Sequence, residues 1–214
     1  MATNTFPNTE TSLLLPSPAG QLEVVAAPAT ITDRHATAII CHPHSLFGGT
    51  MNNKVVTTLA KTLQALGLRT VRFNFRGVGK SAGKYDNGLG ETEDVLTLIN
   101  WVHQVSPNDA IWLAGFSFGG YVAARTATQT NIAQLILVAP AAQHFPMMEL
   151  PPIAAPILVV QGEQDEIVLP QAVYAWVESR EPKPDVIKLP EATHFFHGQL
   201  GVLREKIEKY FSEK

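Results

Sequence analysis

Ala110-Ile111-Trp112-Leu113-Ala114-Gly115-Phe116-Ser117-Phe118-Gly119-Gly120 is the stretch on which the reading of this chain turns. Ala110 to Phe116 is an unbroken apolar run, the pattern of a strand covered on both faces. A helical pattern opens near Gly119 and runs to Thr128. Ser117 therefore stands on the bend between strand and helix. So sharp a bend imposes strained dihedrals on the serine and needs glycine on both sides, because a Cβ there would strike neighbouring backbone. The strain lifts the hydroxyl clear of the sheet. It also sets the amide of Phe118 at a helix N-terminus, where it can face a developing negative charge.

The same strand-then-helix unit recurs on either side. Leu13 to Leu15 and Leu22 to Ala27 flank a turn containing Pro16, Ser17, Pro18 and Gly20, which reads as an N-terminal antiparallel hairpin. Ala36 to Cys41 reads as a buried strand, and Asn52 to Leu66 as a helix with Val55, Val56, Leu59, Leu63 and Leu66 on one stripe. Thr70 to Phe75 is the next strand and Glu91 to Val102 the next helix, with Glu91, Glu93 and Asp94 in its first turn. Beyond the serine, strands are expected at Leu135–Ala139, Ile157–Gln161 and Val186–Leu189, and helices at Gln171–Ser179 and Leu200–Phe211. Alternation of this kind predicts an α/β fold, a mostly parallel eight-stranded sheet with helices on both faces. No linker or repeat interrupts it, so residues 1–214 are expected to form a single domain.

Composition narrows the function. The chain has 214 residues, 45% of them hydrophobic and 16% charged, with a net charge of −3. Lys and Arg are scattered, so no basic stripe for nucleic acid is expected. The longest apolar runs are too short for a bilayer. One cysteine, Cys41, excludes an internal disulfide, and residues 1–10 lack the apolar core of a secretory signal. A cytoplasmic location is the expectation. Cys41, His42 and His44 lie close together, but successive residues at a strand end point to opposite sides and no third ligand has suitable spacing. Neither a metal nor a cofactor is expected.

The Gly-Phe-Ser-Phe-Gly corner, together with this order of elements, resembles the α/β-hydrolase superfamily over nearly the whole chain. Cys41-His42-Pro43-His44-Ser45-Leu46-Phe47-Gly48-Gly49-Thr50 and Phe73-Asn74-Phe75-Arg76-Gly77-Val78-Gly79-Lys80-Ser81 resemble a group of small, lidless bacterial predicted hydrolases, whose members carry proline where this chain has Ser45. The resemblance implies a serine nucleophile at Ser117, a base on the loop after the last strand and an acid between them.

A serine hydroxyl is a weak nucleophile until a base takes its proton. His194 follows the last strand directly and is the expected base, with His197 as its competitor. Asp165, in Gln161-Gly162-Glu163-Gln164-Asp165, matches the superfamily's Gly-x-x-Asp turn and would orient the imidazole. Glu163 and Glu166 are its alternatives. The resemblance assigns the oxyanion donors to the amide of Phe118 and to an amide of the loop after the third strand, either His44 or Leu46. Arg76 is expected to anchor loops, or else to meet an acidic substrate. The short segment from Ala141 to Ala155 cannot form a large cap. The acyl site is therefore expected to be open, with Leu46, Phe47, Phe145 and Met147 as its substrate-binding walls. The function implied is hydrolysis of small carboxylic esters or thioesters through an acyl-serine. An acyltransferase, or a non-catalytic binding protein that retains the fold, is the alternative. No membrane partner is expected, and the sequence leaves the oligomeric state open.

Overall fold

A computed structural model of the chain describes residues 5–213. The first four residues of the polar N-terminal stretch thus lie outside the described residues. Among the described residues eight strands form one sheet: β1 Thr11–Ser17, β2 Gly20–Ala27, β3 Ala36–Cys41, β4 Arg69–Phe73, β5 Ala110–Phe116, β6 Gln134–Val138, β7 Ile157–Gly162 and β8 Asp185–Leu189. Their order across the sheet is β1-β2-β4-β3-β5-β6-β7-β8. β1 pairs antiparallel with β2, and β2 antiparallel with β4; every other pairing is parallel. The α-helices among the described residues are α1 Lys54–Ala65, α2 Leu89–Val105, α3 Phe118–Ala127, α4 Pro170–Glu178 and, after the last strand, α5 Leu200–Ser212.

The apolar runs divide themselves between two cores by the period of two that a strand imposes. Ile39, Leu113, Leu135, Leu137 and Val159 face the core closed by α2, α3 and α4. Ile40, Ala114, Phe116, Ile136, Val138, Leu158 and Val160 face the core closed by α1 and α5. Both faces are dry, so these strands carry no polar alternation. The sheet runs β4-β3 to one side and β5-β6 to the other. The resulting switch point between β3 and β5 opens a crevice at the carboxyl ends of the strands, where ligands of open α/β sheets bind.

Most element boundaries lie within a few residues of those expected, and for α2 and β4 the difference has a local cause. α2 starts at Leu89, ahead of Glu91, because Gly88 adopts a left-handed conformation there and the Glu91 carboxylate accepts the amides of Asp86 and Gly88. β4 stops at Phe73, after which Asn74 and Arg76 turn toward other partners. Arg76 is buried and pairs through its guanidinium with Asp94 at 2.9 Å and Glu93 at 3.0 Å, while its amide donates to Asp94. It anchors the loop after β4 to α2. The acids of the first helical turn thus do separate jobs: Glu91 caps, and Asp94 holds the arginine.

Asp94→Ala would leave the Arg76 guanidinium, only 10% of its side chain exposed, with Glu93 as its remaining carboxylate and the Arg76 amide without its acceptor. Urea unfolding is expected to show a loss of about 3 kcal/mol or more, the cost of breaking a buried pair from one side.

Candidate active site

Ser117 has φ 55° and ψ −116°, a left-handed conformation that a non-glycine residue seldom holds. Two close approaches enforce it. A Cβ on Gly115 would fall on the carbonyl oxygen of Gly119, and one on Gly119 would fall on the carbonyl oxygens of Cys41 and His42. The corner is tied down by the Ser117 amide donating to Val138 of β6 at 3.0 Å and by its carbonyl accepting from Gly120 and Ala141. The hydroxyl is left partly exposed above the sheet.

His194 lies on the loop after β8. Its Nε2 is 3.1 Å from Ser117 Oγ, and its Nδ1 is 2.8 Å from Asp165 Oδ2. A carboxylate can only accept, so Nδ1 carries the proton and Nε2 is free to receive one from the serine. The imidazole is packed beside the rings of Phe116 and Phe195. Asp165 Oδ1 accepts the amides of Ile167 at 3.0 Å and Val168 at 2.7 Å. Its side chain is fully buried and that of His194 is 3% exposed. The three side chains form one hydrogen-bonded line. His197 is exposed and stacks on Phe195, Glu163 accepts from the Tyr174 hydroxyl, and Glu166 accepts the backbone amide of His194.

The loop after β3 folds around its two histidines. His42 is buried, and Pro43 offers only a carbonyl, so Nδ1 donates to that oxygen at 2.6 Å while Nε2 accepts the amide of Phe75 at 3.0 Å. Burial pushes its pKa down to about 4, and the ring stays neutral. Burial also pushes up the Cys41 thiol, which remains protonated in the core. His44 Nδ1 accepts the amide of Leu46 at 3.2 Å, so its other nitrogen donates to the Tyr85 hydroxyl at 3.1 Å. Burial holds His44 below the usual imidazole range, in keeping with a neutral ring.

This arrangement sorts the candidate oxyanion donors. The Leu46 amide is spent on the His44 ring. The His44 amide donates to no protein acceptor among the described residues. Phe118 is the first residue of α3, where an amide has no intrahelical acceptor. The rings of His44 and Phe118 lie 5.0 Å apart, and Tyr85 packs against both.

A cavity of about 640 Å³ opens over Ser117. Phe47 and Phe145 line it, together with Phe118, Ile167, Phe195 and His144. Leu46 and Met147, expected as walls, do not. Leu46 is exposed to solvent over 68% of its surface and is not among the lining residues. Met147, in the segment between β6 and β7, is fully buried, and its carbonyl accepts the indole N–H of Trp176 at 3.1 Å. The apolar residues of that segment, Met147, Leu150 and Ile153, serve the core and not the substrate. His144 and Ile167, neither of them expected as a wall, also line the cavity, and the His144 ring reaches the Ile167 carbonyl at 2.9 Å. Among the described residues no Asp, Glu, Lys or Arg lines the cavity. Among the described residues no group of three His, Cys, Asp or Glu is placed to hold a metal ion, and no helix is long and apolar enough to cross a membrane.

Known proteins show the same construction. A family model described as serine aminopeptidase, S33, matches residues 34–155. An uncharacterised protein of Rickettsia prowazekii, RP471, is 33% identical over 212 residues, covering 90% of this chain and 85% of its own. A solved α/β serine hydrolase homologue from Coxiella burnetii is 49% identical, with a TM-score of 0.93 over 96% of this chain and 99% of that one. XC6422 from Xanthomonas campestris, an α/β serine hydrolase described as lacking a lid, is 44% identical, with a TM-score of 0.92 over 97% of this chain and 95% of that one.

The depressed His42 pKa carries a sign. Between its ordinary value of 6.5 and about 4, the unfolded chain binds a proton that the folded chain refuses. Its contribution is therefore complete above pH 6.5 and is lost as pH falls toward 4, a decline of the order of 3 kcal/mol. His42→Gln, followed by urea unfolding across that window, is expected to flatten the decline relative to wild type.

Proposed function

The chain belongs to the α/β serine hydrolase family, and from that premise we propose that it cleaves carboxylic esters or thioesters of small, uncharged acyl groups through an acyl-Ser117 intermediate. The hydrogen-bonded line from Ser117 through His194 to Asp165 carries this reading. Ser117 Oγ attacks the carbonyl carbon as His194 Nε2 takes its proton. Asp165 keeps Nδ1–H in place and stabilises the imidazolium. The amides of Phe118 and His44 receive the negative charge on the former carbonyl oxygen. His194 returns its proton to the departing alcohol or thiol. It then draws a proton from water, which attacks the acyl-serine, and returns that proton to Ser117 Oγ as the acid leaves, restoring the hydroxyl and the free base.

The walls favour a neutral substrate. About 640 Å³ of mostly apolar and aromatic surface, with no ionised wall, penalises a charged acyl group that must leave water unpaired. The same feature argues against removal of residues from free peptide N-termini. That reaction needs a carboxylate to hold the substrate's ammonium group, and none lines the cavity. The short segment between β6 and β7 leaves the mouth uncovered, so long acyl chains gain little enclosure.

A fluorophosphonate probe is expected to label the wild-type protein and not Ser117→Ala, and Ser117→Ala is expected to lower ester turnover by about 10⁴-fold or more. Equal labelling of both proteins would reject the assignment. On p-nitrophenyl esters, kcat/KM is expected to be higher for two- to four-carbon acyl groups than for twelve-carbon ones, and aminoacyl p-nitroanilides with a free amine are expected to be inert. Equal or better turnover of the long esters would remove the small-acyl reading.

A further inference from the structure

The Asp165 carboxylate has a partner besides His194 on its working oxygen. Gln161, the penultimate residue of β7, is fully buried, and its amide nitrogen lies 3.2 Å from Asp165 Oδ2, the atom that also receives the proton of His194 Nδ1. The same nitrogen lies 3.0 Å from the Gly162 carbonyl and 3.4 Å from that of Val168. All three neighbours can only accept, so the NH₂ end of the side chain must face them; turning the amide over would set four oxygens against one another. The orientation has a cost. Gln161 Oε1 is buried with no hydrogen-bond partner, a condition native interiors seldom tolerate. An apolar side chain would avoid that orphaned acceptor, so the amide hydrogen bond to Asp165 is the feature that sets glutamine apart here.

From this we propose that Gln161 is a positioning residue of the hydrolytic reaction: its amide shares the negative charge of Asp165 Oδ2 and so sets how tightly the carboxylate holds the His194 imidazolium. The inference rests on the Ser117–His194–Asp165 reading. Asp165 has no exposed surface on its side chain, so water cannot stand in for a missing donor. With Gln161 present, Oδ2 divides its charge between two donors. Without it, the imidazole faces the charge alone, gains affinity for its proton and gives that proton up less readily to the leaving group. The ionisable groups around His194 are Ser117 from the corner after β5, and Asp165 and Glu166 from the loop after β7. The rings of Phe116 and Phe195 that pack against it are uncharged.

Gln161→Met keeps the length of the side chain and removes the amide. It is expected to lower kcat about 10-fold with KM unchanged, and to move the acid limb of the kcat/KM profile up by about half a pH unit. Gln161→Glu sets a second carboxyl against Asp165 and is expected to move that limb up by about one unit or more; it also serves if the methionine variant does not fold. An acid limb that stays in place, or moves to lower pH, in a variant whose Tm is within a few degrees of wild type overturns the proposal. Ser117→Ala and His194→Gln separate this failure from that of the underlying reading. Loss of activity in both, with wild-type pH dependence in Gln161→Met, discards only the role of Gln161; activity retained in both discards the triad itself.

Discussion

The His194 ring makes two hydrogen bonds, one to a serine 77 residues earlier and one to an aspartate 29 residues earlier. The architecture around it exists in the form that lets both be made at once. The parallel register brings the carboxyl ends of β5, β6, β7 and β8 level: Phe116 opposite Val138, Val138 opposite Val160, and Gly162 opposite Leu189. The ladder continues past the strands as a row of backbone bonds. The Ser117 amide donates to Val138, Ala139 to Val160, Glu163 to Leu189 and Gln164 to Ala192. Each loop at this edge is therefore pinned to its neighbour within a residue or two of the group it presents. An imidazole on a freely moving loop would spend its hydrogen bonds on water; here the loop is fixed before the side chain is.

Much of this was legible in the sequence, and the physical reason is burial. Strands dry on both faces must be apolar throughout, so β3, β5, β6 and β7 stand out as continuous runs, and their alternation with helices fixes a parallel sheet. The serine corner announced itself because only glycine fits beside it. Asp165 and His194 stood where strands end, and the structure brings both to the serine. Leu46 and Met147 were another matter. Whether the Leu46 amide is available depends on a ring nitrogen two residues earlier turning back to accept it, and that ring is held in turn by Tyr85, 41 residues away. Met147 sits in a proline-rich stretch that reads as surface, yet Trp176 from α4 captures its carbonyl and draws the segment into the core. Both outcomes are set by long-range contacts to loop backbone, which leave no periodic mark in the chain.

Gln161 was hidden for a related cause. In sequence it is the polar end of a buried strand, no different from a residue meeting solvent at the edge of the sheet. Only its enclosure by the Asp165 loop makes its amide a donor to the carboxylate and leaves its oxygen without a partner. The oxygens of a buried aspartate must find donors within the protein, and those that reach Asp165 come from β7, the turn that follows it, and His194. Strand, turn and acid therefore form one unit that orders together.

The two sides of the crevice are consequently held by different chemistry. On the side of β7, an anion is satisfied by convergent donors. On the side of β3 and β4, the bracing is a neutral ring and an ion pair set back from the site: His42 clasps the amide of Phe75, Asp94 and Glu93 hold Arg76, and the Asn74 side chain accepts the amide of Met51. Acid acts on the second side through His42, because the unfolded chain accepts a proton that the buried ring declines. The loop carrying the His44 amide is thus anchored by a residue whose contribution fades as pH falls from 6.5 toward 4, because only the neutral His42 ring can accept the Phe75 amide while donating to the Pro43 carbonyl.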